Sequence, residues 1–180
     1  VCYNGRIMTL PIPIAISSCL IGQNVRYDGK HKLQTWLESV DGVEWIPICP
    51  ELEAGMTVPR EKIQIELHAG QKMLMAIESR QDWSEKMDSV AAYWIEQLQI
   101  QNVCGYVFKS RSPSCGLEDV PVYGGIPGEV MELGQGRFAQ RVHEAMPMMP
   151  LVEETQMESE RLRKEFFRQA RMFQNDRDFG

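Results

Sequence analysis

The sequence predicts an α/β fold: a mainly parallel sheet with helices on both faces, Rossmann-like in its alternation, plus a C-terminal surface helix. Three observations lead there. Apolar runs of strand length stand at 12–16, 43–48 and 103–108. Segments with helical spacing of apolar residues separate them, and strands alternating with helices favour parallel pairing. Each run exits into a loop that holds a cysteine, namely Cys19, Cys49 and Cys115.

Residues 1–11 lack periodicity and read as a lead segment, 12–153 as the α/β domain, and 154–180 as a helical tail. Pro13 interrupts the first run and, lacking a ladder donor, places that strand near a sheet edge. Asp28-Gly29 marks a turn, after which Leu33, Trp36, Leu37 and Val40 recur at three-and-four spacing and predict a helix over 30–40. Asp41-Gly42 ends it, and 43–48 is the second strand. Ile63, Ile65 and Leu67 alternate with polar residues as a half-exposed strand, which forms a hairpin with 72–77 across His68-Ala69-Gly70-Gln71.

The longest helical signal covers 79–101, where Trp83, Met87, Val90, Ala91, Trp94, Ile95 and Leu98 share one face. It leads into the strand at 103–108. The Gly- and Pro-rich stretch 121–129 reads as an irregular loop that covers the site. A helix over 136–145, a last short strand over 149–152 and a charged helix over 158–173 complete the chain. The last of these carries Leu162, Phe166, Phe167 and Phe173 for packing on the domain or on a partner.

With 180 residues the chain is the size of one domain with a single sizeable core. Its 43% hydrophobic and 24% charged residues are the proportions of an ordinary globular protein. The net charge of -6 gives no general attraction for a phosphate backbone, so polymeric nucleic acid is not expected as a partner. No run approaches the roughly 20 apolar residues of a membrane-spanning helix, and no signal-peptide pattern opens the sequence. A cytoplasmic protein with no membrane partner is expected. Five cysteines, an odd number without close pairing, speak for ligands, catalytic groups or core residues and against a disulfide framework.

Free cysteine is among the most buried residue types, so one alone argues only for a core position. Cys104, inside an apolar strand, fits that reading, and Cys2 is incidental. Three thiols at successive strand ends are different, because the carboxyl ends of parallel strands share one edge, where ligands bind. Structural zinc takes four protein ligands, with cysteines in close pairs, whereas these three lie 30 and 66 residues apart and no Cys-x-x-Cys occurs. Iron-sulfur clusters are usually held by four Cys; with three, one iron stays free to act as a Lewis acid. A histidine could still complete a zinc site, although His31, His68 and His143 read as solvated positions. Glu51, two residues beyond Cys49, is the carboxylate best placed to act as a general base. Ser112 orients a substrate, relays a proton, or satisfies backbone groups in its turn. Arg26, Tyr27, Arg60 and Arg111 are the polar side chains on the same loops that are expected to meet a substrate.

Three motif blocks carry a family resemblance: Ser-Ser-Cys-Leu-Ile-Gly with Asn-Val-Arg-Tyr-Asp-Gly, Cys-Pro-Glu with Val-Pro-Arg-Glu, and Lys-Ser-Arg-Ser-Pro-Ser-Cys-Gly. In that order they resemble the domain family, formerly of unknown function, that contains the thiouracil desulfidases. The resemblance runs from about residue 14 to 152 and departs over 58–77, which lacks a Gly-rich continuation. It implies a [4Fe-4S] cluster bound by Cys19, Cys49 and Cys115, with Glu51 and Ser112 matching the family's catalytic pair. The implied function is non-redox desulfidation of a small thiolated base such as thiouracil, to uracil and sulfide. The alternative from another class is a non-catalytic metal-binding protein or cluster carrier.

Overall fold

The computed structural model describes residues 2–3, 6–7, 11–124 and 128–178. Most of the expected lead segment, with the side chain of Cys2, lies outside the described residues, as do positions 125–127 of the expected covering loop. Strands β1 (Cys2–Tyr3) and β2 (Arg6–Ile7) form a small antiparallel pair. The main sheet is built from β3 (Ile12–Ser17), β4 (Val43–Ile48), β7 (Tyr106–Phe108) and β10 (Leu151–Glu153). Its order is β10-β7-β3-β4, and every pairing in it is parallel.

β3 is interior, not near an edge as Pro13 suggested. The Pro13 carbonyl accepts from Cys104 N at 2.8 Å, so the donor that proline lacks would point to the same side, where the β7 ladder has not yet begun. Two apolar clusters cover the two faces, as the period of two along a strand requires. Ala15, Ile48, Tyr106 and Phe108 face α2 (Ser84–Ile100) and α3 (Arg137–Ala145), meeting Met87, Leu98, Phe138 and Val142. Ile12, Ile14, Ile16 and Val107 face α5 (Glu160–Asp178), meeting Phe166 and Ala170. The expected α/β class, with a parallel sheet between helices, is what the chain forms.

A second four-stranded sheet was not foreseen. β5 (Ile63–His68) and β6 (Gln71–Ala76) form the expected hairpin, but β5 also pairs in parallel with β8 (Val120–Tyr123), which pairs with β9 (Val130–Gly134). The order is β6-β5-β8-β9. The predicted irregular loop over 121–129 is thus in large part strand. Pro121 is accommodated because the ladder to β5 starts only at Val122.

The helix expected over 30–40 is a second correction: only a 3-10 turn, Thr35–Ser39, forms there. Lys32 N and Gln34 N donate to the carbonyls of Cys19 and Leu20, which withdraws them from a helical ladder, and Leu33 remains 55% exposed. α2 starts at Ser84, later than expected, because residues before it close a turn on β6: Ala76 N donates to Gln81 O and Trp83 N to Leu74 O.

After β10 come the one-turn helix α4 (Glu154–Met157) and α5. The latter packs on the domain itself. Gly105 makes room for it, since a Cβ there would stand 2.9 Å from the Phe166 ring. Among the described residues no helix is long and apolar enough to cross a membrane. Truncating Phe166, which is 4% exposed, to Ala is expected to lower unfolding free energy by about 3–5 kcal/mol in denaturant titration. Met172→Ala, at a 52% exposed position of the same helix, should stay within about 0.5 kcal/mol of the parent.

Candidate functional site

β4, β3 and β7 are neighbours, so their exits stand side by side on one edge of the sheet. Cys19 lies in the 3-10 turn Ser18–Ile21 directly after β3, closed by Gly22 in the left-handed region at φ 92°. Cys49 follows β4 as the N-cap of α1 (Pro50–Glu53), whose first position is the helix-compatible Pro50. Cys115 lies in the loop after β7. All three thiols are free and line one cavity of about 800 Å³. Cys104 is buried in the opposite cluster, with its thiol donating to Asn102 O at 3.0 Å, and is no part of the site.

Burial pushes the Cys19 thiol up to about 12, partly opposed by the Lys109 cation. It also raises Cys49, against the pull of the Leu52 backbone N–H. Cys115 stands well above the ordinary thiol range, first through burial, then through the charges of Glu51 and the other two thiols, with a hydrogen bond from Ser17 opposing. Such thiols stay protonated unless a metal takes the place of the proton. The donor set fits an iron-sulfur centre: three soft ligands from three separate loops around one roomy cavity. Among the described residues no three His, Cys, Asp or Glu side chains are grouped so as to hold a single ion. No histidine lines the cavity either. His31 Nδ1 accepts from Leu33 N, His68 pairs with Glu66, and His143 meets Gln135.

Glu51 points into the same cavity from the first turn of α1 and is gripped at both oxygens. Oε2 takes hydrogen bonds from Arg60, that from Nε at 2.9 Å, and Oε1 takes one from Ser114 Oγ at 3.0 Å. Arg60, expected among the substrate contacts, lines the cavity and is held in this pair. Its Nη1 donates to Thr57 O and its Nη2 also to Val25 O, leaving the side chain only 7% exposed. Ser112 Oγ accepts from Ser114 N at 3.2 Å and Cys115 N at 3.1 Å, so it shapes the turn around Cys115 while its own proton remains free to donate.

The loop 109–118 is held from outside. Glu154, 5% exposed, takes Lys109 Nζ at 2.5 Å and Ser110 Oγ at 2.9 Å on Oε1, and Ser110 N at 2.6 Å on Oε2. At the other flank Glu153 Oε1 accepts from Leu117 N at 2.8 Å and Glu118 N at 3.2 Å. Between them the first turn of α3 docks its unpaired donors on the loop: Gly136 N on Gly116 O, Arg137 N on Pro113 O and Ala139 N on Ser114 O. Gly136 is required by that approach, since a Cβ would stand 2.6 Å from the Ser114 carbonyl carbon.

Arg26, Tyr27 and Arg111 also line the cavity, so every residue expected at the site borders it. Arg26 and Lys62 flank the Tyr27 ring at 5.6 and 5.4 Å. Arg111 is exposed, with a left-handed backbone at φ 55°. Ile63, Pro121, Tyr123 and Leu133 of the second sheet supply an apolar wall. Sequence reasoning missed Ser114, Ser17, Lys109, Glu153 and Glu154. Ser114 was in view inside the Ser-Pro-Ser-Cys motif, but the two glutamates carry no local signal.

A family model described as 2-thiouracil desulfurase matches residues 14–154. YbbK of Bacillus subtilis (strain 168), an uncharacterized protein, is 32% identical over 109 residues, covering 57% of this chain and 72% of that protein. Among solved structures, the [4Fe-4S]-dependent thiouracil desulfidase TudS aligns with a TM-score of 0.64 at 27% identity, over 83% of this chain and 93% of that one. The family match begins in β3 and ends in α4, and so takes in all three cysteine loops and the glutamates that brace the last of them. The resemblance seen in the three motif blocks is borne out: this chain belongs to the 2-thiouracil desulfurase family.

Proposed function

We propose that this protein holds a [4Fe-4S] cluster through Cys19, Cys49 and Cys115 and removes sulfur from a thiolated nucleobase such as thiouracil, giving uracil and sulfide. The observation that carries this reading is the convergence of three free thiols from neighbouring strand exits on one cavity that also receives Glu51. TudS, which matches over 83% of the chain, supports the same chemistry.

When bound, a cluster with three thiolate ligands supplies one iron as a Lewis acid for the thiocarbonyl sulfur. The rest falls to the chain's own side chains. Glu51 Oε1 keeps a lone pair beyond its bond to Ser114 and takes a proton from the water that adds to the carbon. Arg60 and Ser114 hold that carboxylate in one orientation, so no reorganisation is needed as the proton moves. Ser112 borders the cavity, and its hydroxyl, which accepts from Ser114 N and Cys115 N, donates its own hydrogen to the base or relays the proton. Tyr27 and the wall of Ile63, Tyr123 and Leu133 cover the flat ring of the base. Water supplies the oxygen, sulfur leaves as sulfide and the oxidation state of carbon is unchanged, so no electron donor enters.

The test is anaerobic reconstitution with iron and sulfide, followed by assay of sulfide release from 2-thiouracil and 4-thiouracil. A brown, active protein is expected. Iron uptake without sulfide release places the chain with cluster carriers, and failure to take up iron overturns the reading. Replacing Cys19, Cys49 or Cys115 by Ala should each lower iron content, since two protein ligands hold a cluster poorly, while Cys104→Ala keeps it. Glu51→Gln should retain near-normal iron and visible absorption but lose turnover by ~10²–10⁴-fold, the range for a general acid-base group. Wild-type turnover in that variant at full iron content would remove Glu51 from the mechanism.

A further inference from the structure

Tyr106 Oη is the one fully buried side-chain nitrogen or oxygen among the described residues that has no hydrogen-bond partner. A buried phenol almost always finds one, because an unmatched hydroxyl inside a protein is costly and phenylalanine would fit the same space without that penalty. The ring has little freedom to seek a partner. It is 0% exposed, stacked on Phe108 with centroids 3.7 Å apart and planes within 3°, and met edge-on by Phe138 at 6.2 Å.

Its place in the fold indicates what the hydroxyl serves. Tyr106 opens β7 opposite Ala15 of β3, and it packs in one cluster with Ile48, the residue before Cys49, and with Cys115 itself. Burial holds the phenol well above its ordinary range, and the ionisable groups near enough to add to that are Cys115, Cys49, Glu53 and Cys19, in that order. The group is therefore a buried donor in the cluster that holds Cys115, behind the cavity lining, with no hydrogen-bond acceptor among the described residues.

We propose that the Tyr106 hydroxyl donates a hydrogen bond to sulfur of the metal centre, thiolate or sulfide, and thereby both retains that centre and raises its reduction potential. This rests on the [4Fe-4S] reading. A hydrogen bond to sulfur disperses the negative charge that builds up on reduction, so it favours the reduced state. Before metal arrives the same hydroxyl is a burden on the fold.

Tyr106→Phe removes one oxygen and keeps the ring, and it separates the two roles. The cluster-free variant is expected to melt at the same temperature as the parent or higher, since an unmatched polar atom is gone. The loaded variant is expected to show a lower midpoint potential in an EPR-monitored titration and to lose iron faster to a chelator. Unchanged or raised potential with an unchanged rate of iron loss, at equal iron content, overturns the inference and leaves the cofactor reading standing. A lower melting temperature of the cluster-free variant also overturns it, because the hydroxyl then has a partner, such as an internal water, without the metal. If the parent protein takes up no iron, the cofactor reading fails first and the inference falls with it.

Discussion

Parallel pairing of β4, β3 and β7 is the constraint on which the site depends. A parallel neighbour can be reached only by a crossover, so every strand of the set leaves the sheet at the same edge. One cysteine per exit then suffices to bring together residues 30 and 66 positions apart without any of the short Cys spacings that local metal motifs use. The same arrangement places each thiol on its own loop, with its own support. Gly22 closes the first, α1 begins at the second, and α3 with two glutamates braces the third.

What the sequence disclosed was whatever had a short physical range. The runs at 12–16 and 43–48, the alternation at 63–67 with its turn, and the long stripe from Trp83 to Leu98 each state their structure within a window of neighbours. Cysteines next to such runs could be read for the same reason. The failures came where a distant partner decided the outcome. The stripe at Leu33, Trp36, Leu37 and Val40 has helical spacing, yet the backbone there is claimed by the Cys19 turn. Val120–Tyr123 carries a proline and ends at a glycine, both turn signals, and is strand only because β5 and β9 flank it.

The carboxylate in the cavity shows the same limit at the scale of a single side chain. Cys-Pro-Glu announces Glu51 and Val-Pro-Arg-Glu announces Arg60, but nothing in either block says that the two form one unit. Nor does the Ser-Pro-Ser-Cys block say which serine serves which neighbour. Ser114, fully buried and absent from the cavity lining, orients Glu51 from behind, while Ser112 borders the cavity and caps the Cys115 turn. A motif gives the parts of a site; the hydrogen-bond network gives their division of labour.

The bracing of the Cys115 loop by Glu153 and Glu154 has a consequence for how the protein matures on the ribosome. All three thiols have been synthesised by position 115, but the groups that give the third loop its shape lie almost forty residues further on. Chains fold as they emerge, amino-terminal parts first. The third loop therefore takes its shape only when β10 and α4 are docked beside β7, which ties the last thiol's position to the far end of the domain.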